Sequence, residues 1–252
     1  MLTSPDLRPP AGRSSPRPAG PRWAALLLSA LLAAPTAAAA QAQRAPGSGA
    51  AAAGQAYERV AAAWRGTATL EARFEQRVVN ALVGRSALSR GVFRQQRPNQ
   101  VAITFTDPAG DQIVGDGRFL WVSLPSSTPG QVLKLPAGAD GAVVADLLSQ
   151  LLDTPRRAFD ISGGDPADVL GRRSRRVVLV PRQEGRVPFT RAVLWLDEDD
   201  LRPLRVQVQD PQGVERTITL LTWQAGIALP ADAFRFVLPK GARVITELPG
   251  GR

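Results

Sequence analysis

The chain has 252 residues with no cysteine and no histidine, 31 Lys and Arg against 22 Asp and Glu, and a formal net charge of +9. Lacking those two residue types, it has no Ser-His-Asp triad, no Cys-His nucleophile and no ordinary zinc site, and no disulfide to help hold an exported fold together. The basic excess suits nucleic acid, an anionic membrane surface or an acidic partner.

Arg8, Arg13, Arg17 and Arg22 precede an apolar run from Trp23 to Ala34 and then the small-residue stretch "PTAAAAQAQ". This order predicts a secretory signal peptide over residues 1–40, cleaved after Ala40 or Ala42. The run is shorter than the roughly 20 apolar residues a transmembrane helix needs. Only four Arg and one Asp lie in that segment, so the remainder stays basic. About 210 residues are left, enough for one domain with a sizeable core. With no cysteine to carry a lipid anchor, the expected product is soluble.

Residues 41–54 read as a flexible lead-in, and a helix is expected from about residue 56 to 65, where Tyr57, Val60 and Trp64 recur at helical spacing. "TATLEARFEQRVV", from Thr67, alternates cleanly, with Leu70, Ala72 and Phe74 on one face and Glu71, Arg73 and Glu75 on the other. A second strand runs to Gln96, then a corner at Arg97-Pro98-Asn99, then a third strand from Gln100. Counting back by twos, Arg97 shares a face with Gln95, Phe93 and Gly91, so a permanent charge is aimed at the apolar side. Further strands follow over 112–116, 119–124, 131–135, 175–180, 189–196, 204–210 and 215–223. About ten strands with short turns predict an antiparallel meander curling toward a barrel.

One segment breaks that rhythm. From Asp140, the residues Val143, Val144, Leu147, Leu148, Leu151 and Leu152 fall at i, i+3, i+4 spacing and stop at Asp153-Thr154-Pro155, an amphipathic helix of about three turns. Spacing alone leaves two readings open: a plug of ordinary core, or a lid over a cavity. The acidic residues cluster in turns, "SGGDPAD", "LDEDDL" and "QDPQG", where side-chain capping gives them a structural task. Arg172, Arg173, Arg175 and Arg176 form a basic run without the interleaved aromatics of a nucleic-acid platform, which reads as a solvated hairpin.

The ordered set Gly91-x-Phe93-x-x-x-Arg97-Pro98-Asn99, then Asp107-Pro108, Asp116-Gly117, Leu120-Trp121, the leucine-rich helix and a terminal Phe234-x-Phe236-x-x-Pro239-x-Gly241 resembles the LolA family of periplasmic lipoprotein carriers. The likeness runs from about Thr67 to Thr246, within a single domain expected over 55–247, with 248–252 a flexible tail. It implies a mainly β fold, an unclosed antiparallel half-barrel whose concave apolar face is covered by helices. It implies a non-enzymatic chaperone in the periplasm, a monomer that needs no cofactor, no metal and no nucleic acid. Such a carrier takes lipoproteins from an inner-membrane ABC transporter, shields their acyl chains, and delivers them to an outer-membrane receptor. That receptor begins with a lipidated cysteine, and the lack of cysteine here favours carrier over receptor.

The resemblance also assigns residues. Arg97 matches the arginine that bonds across to the covering helices and latches the empty cavity shut. Leu70, Phe74, Phe93, Val101, Ile103, Phe105 and Trp121 are expected to line the acyl-chain cavity, and Val144, Leu147, Leu148, Leu151 and Leu152 to face it from the lid helix. Val101 stands where the family often has an aromatic. Two alternatives remain: a related lipid-binding or envelope-stress sensing module of the same fold, and a carbohydrate-active enzyme, which would require two carboxyl groups roughly 5 to 10 Å apart in a cleft.

Overall fold

A computed structural model describes residues 46–137 and 147–246. The expected signal peptide, residues 41–45 of the lead-in, Val143 and Val144 of the covering helix, and the tail over 248–252 lie outside the described residues.

The first helix, α1, spans Pro46–Arg65 and starts about ten residues before the expected point. Alanine runs favour helix strongly enough to carry the interspersed glycines, proline suits a first helical position, and the early turns find a surface to pack on. Ala53, Ala56, Tyr57, Val60, Ala61 and Trp64 are all buried and form one continuous stripe. The approach is close: a side chain at Gly163 would meet the carbonyl oxygen of Gly49 at 2.6 Å. A lead-in judged by composition alone becomes helix because a sheet is there to receive it.

The strands run β1 (Thr69–Asn80), β2 (Arg85–Gln96), β3 (Gln100–Asp107), β4 (Ala109–Asp116), β5 (Phe119–Ser123) and β6 (Gln131–Pro136). After the second helix, α2 (Leu147–Leu152), come β7 (Phe159–Gly163), β8 (Ala167–Val169), β9 (Arg172–Pro181) and β10 (Arg191–Asp197). The last are β11 (Arg202–Gln209), β12 (Val214–Leu220), β13 (Gln224–Ala225) and β14 (Arg243–Ile245). One sheet orders them β14-β6-β5-β4-β3-β2-β1-β12-β11-β10-β9-β7, with β13 added to β1 and β8 to β9. The pairs are antiparallel apart from β14 with β6. Its two ends, β14 and β7, do not pair, so the sheet is unclosed and mainly antiparallel. The strands β7, β8, β13 and β14 were not anticipated. They are short and lie among Gly, Pro and Asp, and tertiary pairing rather than local propensity makes them strands.

Register decides which side chains share a face. Val122 is opposite Ile113, Ile113 opposite Ile103, and Ile103 opposite Phe93, so one row crosses four strands. Phe74 continues the inner face opposite Gly91 and Leu220. This face and the two helices enclose the main core. The outer face carries a smaller cluster, Ala102, Val114 and Phe234, with Leu229, Ala233 and Phe236 from the C-terminal segment packed over it.

The basic run and the acidic turn explain each other. In β9, Arg172 bonds the Asp197 carboxylate and reaches Asp200 at 2.8 Å, while Arg175 meets Glu198 at 2.6 Å. Burial pushes the Asp197 carboxyl up, but the Arg172 guanidinium and the backbone N–H groups of Asp199 and Asp200 outweigh it and hold the group below the usual carboxylate range. A depressed folded value means that the stabilisation is complete above about pH 4 and is lost as pH falls through the folded value. Urea titrations from pH 5 downward should therefore show a steeper loss of stability in the wild type than in Asp197→Asn, which has no charge there to lose. Equal slopes would remove Asp197 from the acid response.

Candidate functional site

Between the inner face and α2 lies a cavity of about 380 Å3. Its floor is Phe74, Phe93, Ile103, Phe105, Ile113, Leu120 and Val122, its far wall Val206, Ile218 and Leu220, and Leu147 and Leu148 face it from α2. Gln76 and Arg216 are the polar members, and no carboxylate lines it among the described residues. The volume falls within the usual range for small-molecule cavities. Phe74 and Phe105 meet edge to face with centroids 5.7 Å apart, directly over Gly91.

Of the residues expected on this face, Phe74, Phe93, Ile103, Phe105, Leu147 and Leu148 are brought together around the cavity. Leu70, Leu151 and Leu152 are fully buried in the adjoining core rather than along the cavity wall. Val101 is buried too and lines a separate recess of about 150 Å3 beside the Pro98-Asn99 corner. Trp121 is a correction: it lies on the outer face, opposite Val114 and Lys134 in register. There it stacks on Phe236 at 5.0 Å and donates its Nε1–H to Asp116 at 3.0 Å. "FLWVS" is apolar at four positions running, so sequence alternation gave no side, whereas the pleat turns Leu120 and Val122 inward and Trp121 out. Ile113, Leu120, Val122, Val206, Ile218 and Leu220 are among the wall residues missed; the alternation of β4, once its register is known, finds Ile113.

Arg97 closes the end of this arrangement. Its Nε–H donates to the Thr67 carbonyl at 3.1 Å and its Nη2–H to the Trp64 carbonyl at 3.3 Å, capping the end of α1. Nη1 and Nη2 also form a two-pronged pair with the Asp153 carboxylate, both contacts at 3.1 Å. The guanidinium carbon lies 5.3 Å from the centre of the Trp64 ring. Asp153 follows directly on α2, so one side chain ties strand, first helix and covering helix together. Sequence reasoning read Asp153 only as part of a helix stop and missed it as the counter-charge.

Two more side chains hold the same end. Tyr57 donates its hydroxyl to the carbonyls of Leu151, at 2.8 Å, and Thr154, at 2.9 Å. Burial pushes that hydroxyl's pKa above its ordinary value, so it remains a donor. Arg65 reaches the Leu152 carbonyl at 3.2 Å. The last carbonyls of α2 are thus fastened from α1, while Leu147 and Leu148 at its other end rest over the cavity. Gln95, buried beneath, reaches Ser149 at 3.4 Å.

Residues 65–237 match the family model described as "Outer membrane lipoprotein carrier protein LolA". An outer-membrane lipoprotein carrier protein of Methylobacillus flagellatus is 27% identical over 190 residues, 75% of this chain and 88% of its own length. One from Xanthomonas oryzae pv. oryzae is 28% identical over 187 residues, 73% of this chain and 84% of its own. Among solved structures, a putative outer membrane lipoprotein-sorting protein domain from Vibrio parahaemolyticus has 14% identity and a TM-score of 0.39, covering 73% of this chain and 97% of its own. An uncharacterized conserved protein from Thermus thermophilus has 16% identity and a TM-score of 0.49, covering 78% and 99%. With the family model spanning well over half its length, the chain belongs to the LolA family of outer membrane lipoprotein carriers, transport proteins rather than enzymes.

Proposed function

We propose that this protein works in the periplasm, accepting lipoproteins released from the inner membrane by an ABC transporter and handing them to an outer-membrane receptor. The cavity between the sheet and α2 takes the acyl chains, and Arg97 is the latch that keeps α2 closed over it. The observation that carries this reading is the pairing of an apolar cavity with a covering helix whose end is tied by Arg97, through Asp153, to the strand and the first helix. Export as a monomer, with the signal cleaved after Ala40 or Ala42, belongs to the same reading, and the intact mass of the exported protein should match one of those two cuts.

The energetics favour a latch. Burying lipid chain is worth roughly 0.8 kcal/mol per methylene. A fully sheathed set of chains approaches the ceiling of non-covalent affinity, near −18 to −21 kcal/mol, and would not leave on a useful timescale. Closure of the helix over an empty cavity must be undone on loading, and that cost is returned on delivery. A carrier without nucleotide energy can then release to a tighter-binding receptor.

The test places a charge on the floor. Ile103 is only partly buried and lines the cavity, so Ile103→Asp leaves the carboxylate facing that space and the fold largely intact. Burying lipid against an ionised carboxylate costs several kcal/mol. Release of lipoprotein from spheroplasts into a soluble complex should fall at least tenfold, with the urea midpoint changed far less. Undiminished release would contradict the assignment of the cavity.

A further inference from the structure

β12 alternates, and its register puts Arg216 on the inner face beside Val78 of β1 and Val208 of β11. Arg216 lines the apolar cavity with Ile218 and Val206, and also a smaller recess of about 110 Å3 with Phe189, Val208 and Asp210. It therefore stands where the two spaces meet. Arg97, the inward-facing arginine of the latch, makes four hydrogen bonds with its five donors. Arg216 differs: among the described residues no hydrogen bond or ion pair reaches its guanidinium. Asp210 acts on it by charge alone, and that carboxylate already accepts the backbone N–H groups of Gln212 and Val214, each at 2.9 Å. Burial lowers the guanidinium's pKa without neutralising it.

A half-buried cation with five donors and no protein acceptor, set in an otherwise oily wall, is a poor choice for stability. It is well placed for a ligand that is hydrocarbon along most of its length and carries oxygen acceptors at one end. We propose that Arg216 is the polar anchor of the cavity: its guanidinium binds the acyl carbonyl oxygens at the head of the cargo's chains and sets how far those chains enter. This rests on the carrier reading above. The same chemistry is offered by the neutral ester and amide linkages of an attached lipid and by the carboxylate of a free fatty acid.

The experiment uses three probes of equal chain length against the full protein carrying the neutral dye N-phenyl-1-naphthylamine. Dodecanoylglycerol has the carbonyl, dodecylglycerol is its ether without one, and laurate has a carboxylate. In the wild type the ester should displace the dye at about tenfold lower concentration than the ether. Arg216→Met, which keeps length and apolar fit, should abolish that difference and leave the ether bound as well as before or better. Laurate losing more than the ester in Arg216→Met assigns the anchor to a free carboxylate; equal losses assign it to the neutral linkage. Ester and ether binding alike in the wild type would overturn the anchor while leaving the cavity reading intact, without recourse to any variant. An ester-to-ether ratio unchanged in Arg216→Met would overturn it equally. Displacement by none of the three would sink the cavity reading and the anchor with it.

Discussion

Arg97→Leu is expected to give a carrier that loads and does not unload. The substitution deletes two caps on carbonyls at and after the end of α1 and the pair with Asp153 that holds the segment following α2. Arg97 and Asp153 keep 25% and 31% of their side-chain surface exposed, so solvent offsets much of the loss, and the cost to folding should be about 1 to 2 kcal/mol. Leucine also suits a strand face shared with Phe93. Opening α2 then becomes easier, so acceptance from the inner membrane persists or improves. Delivery fails, because the closing energy that Arg97 adds to the Tyr57 and Arg65 bonds no longer helps to expel the chains. Arg97→Lys should be intermediate, keeping charge without the planar fork. Asp153→Ala should reproduce part of the delivery defect, and the double variant should be little worse than Arg97→Leu alone, since that substitution already removes the contact with Asp153. Scoring release from spheroplasts and transfer to purified receptor separately checks each part. Normal transfer by Arg97→Leu would remove the latch.

Gly91→Ala should be the most damaging single-methyl change in the wall. A Cβ there would sit 2.5 Å from the Thr104 carbonyl oxygen and 2.9 Å from the Phe74 ring. The first neighbour is backbone of the paired strand β3, and the second is locked edge to face on Phe105, so neither yields cheaply. Overpacking of this kind costs about 1 to 3 kcal/mol, which at roughly 2 to 4 °C per kcal/mol lowers the melting temperature by about 2 to 12 °C. Phe74→Leu in the same chain should recover part of the loss by vacating the ring position. A melting temperature unchanged in Gly91→Ala would mean that β2 and β3 are less tightly apposed than these distances require.

The sequence announced the sheet where side chains alternate. "TLEARF" declared its faces at once, and the register that follows from it carries Phe93, Ile103 and Phe105 to the same side. Where a strand is apolar throughout, as at Phe119–Ser123, both faces are greasy and the side of Trp121 was set instead by the C-terminal segment folding back to offer Phe236. The early turns of α1 were hidden by glycine and became legible only with the surface of β7 beneath them. Arg97 stood out because a charge broke an apolar alternation. Asp153, its partner, did not, because an Asp before Thr-Pro has a sufficient local explanation as a helix stop. Arg216 escaped notice because Thr217, Glu215 and Thr219 around it read as an ordinary polar strand.

The central claim, that acyl chains occupy the inner face and not the outer one, is tested most directly by a photo-activated crosslinker placed in turn at Phe105 and at Trp121. Both lie in the central sheet, one on each face. With radiolabelled acylated cargo loaded from spheroplasts, the account predicts label at position 105 and none above background at position 121; label at 121 with 105 silent would contradict it.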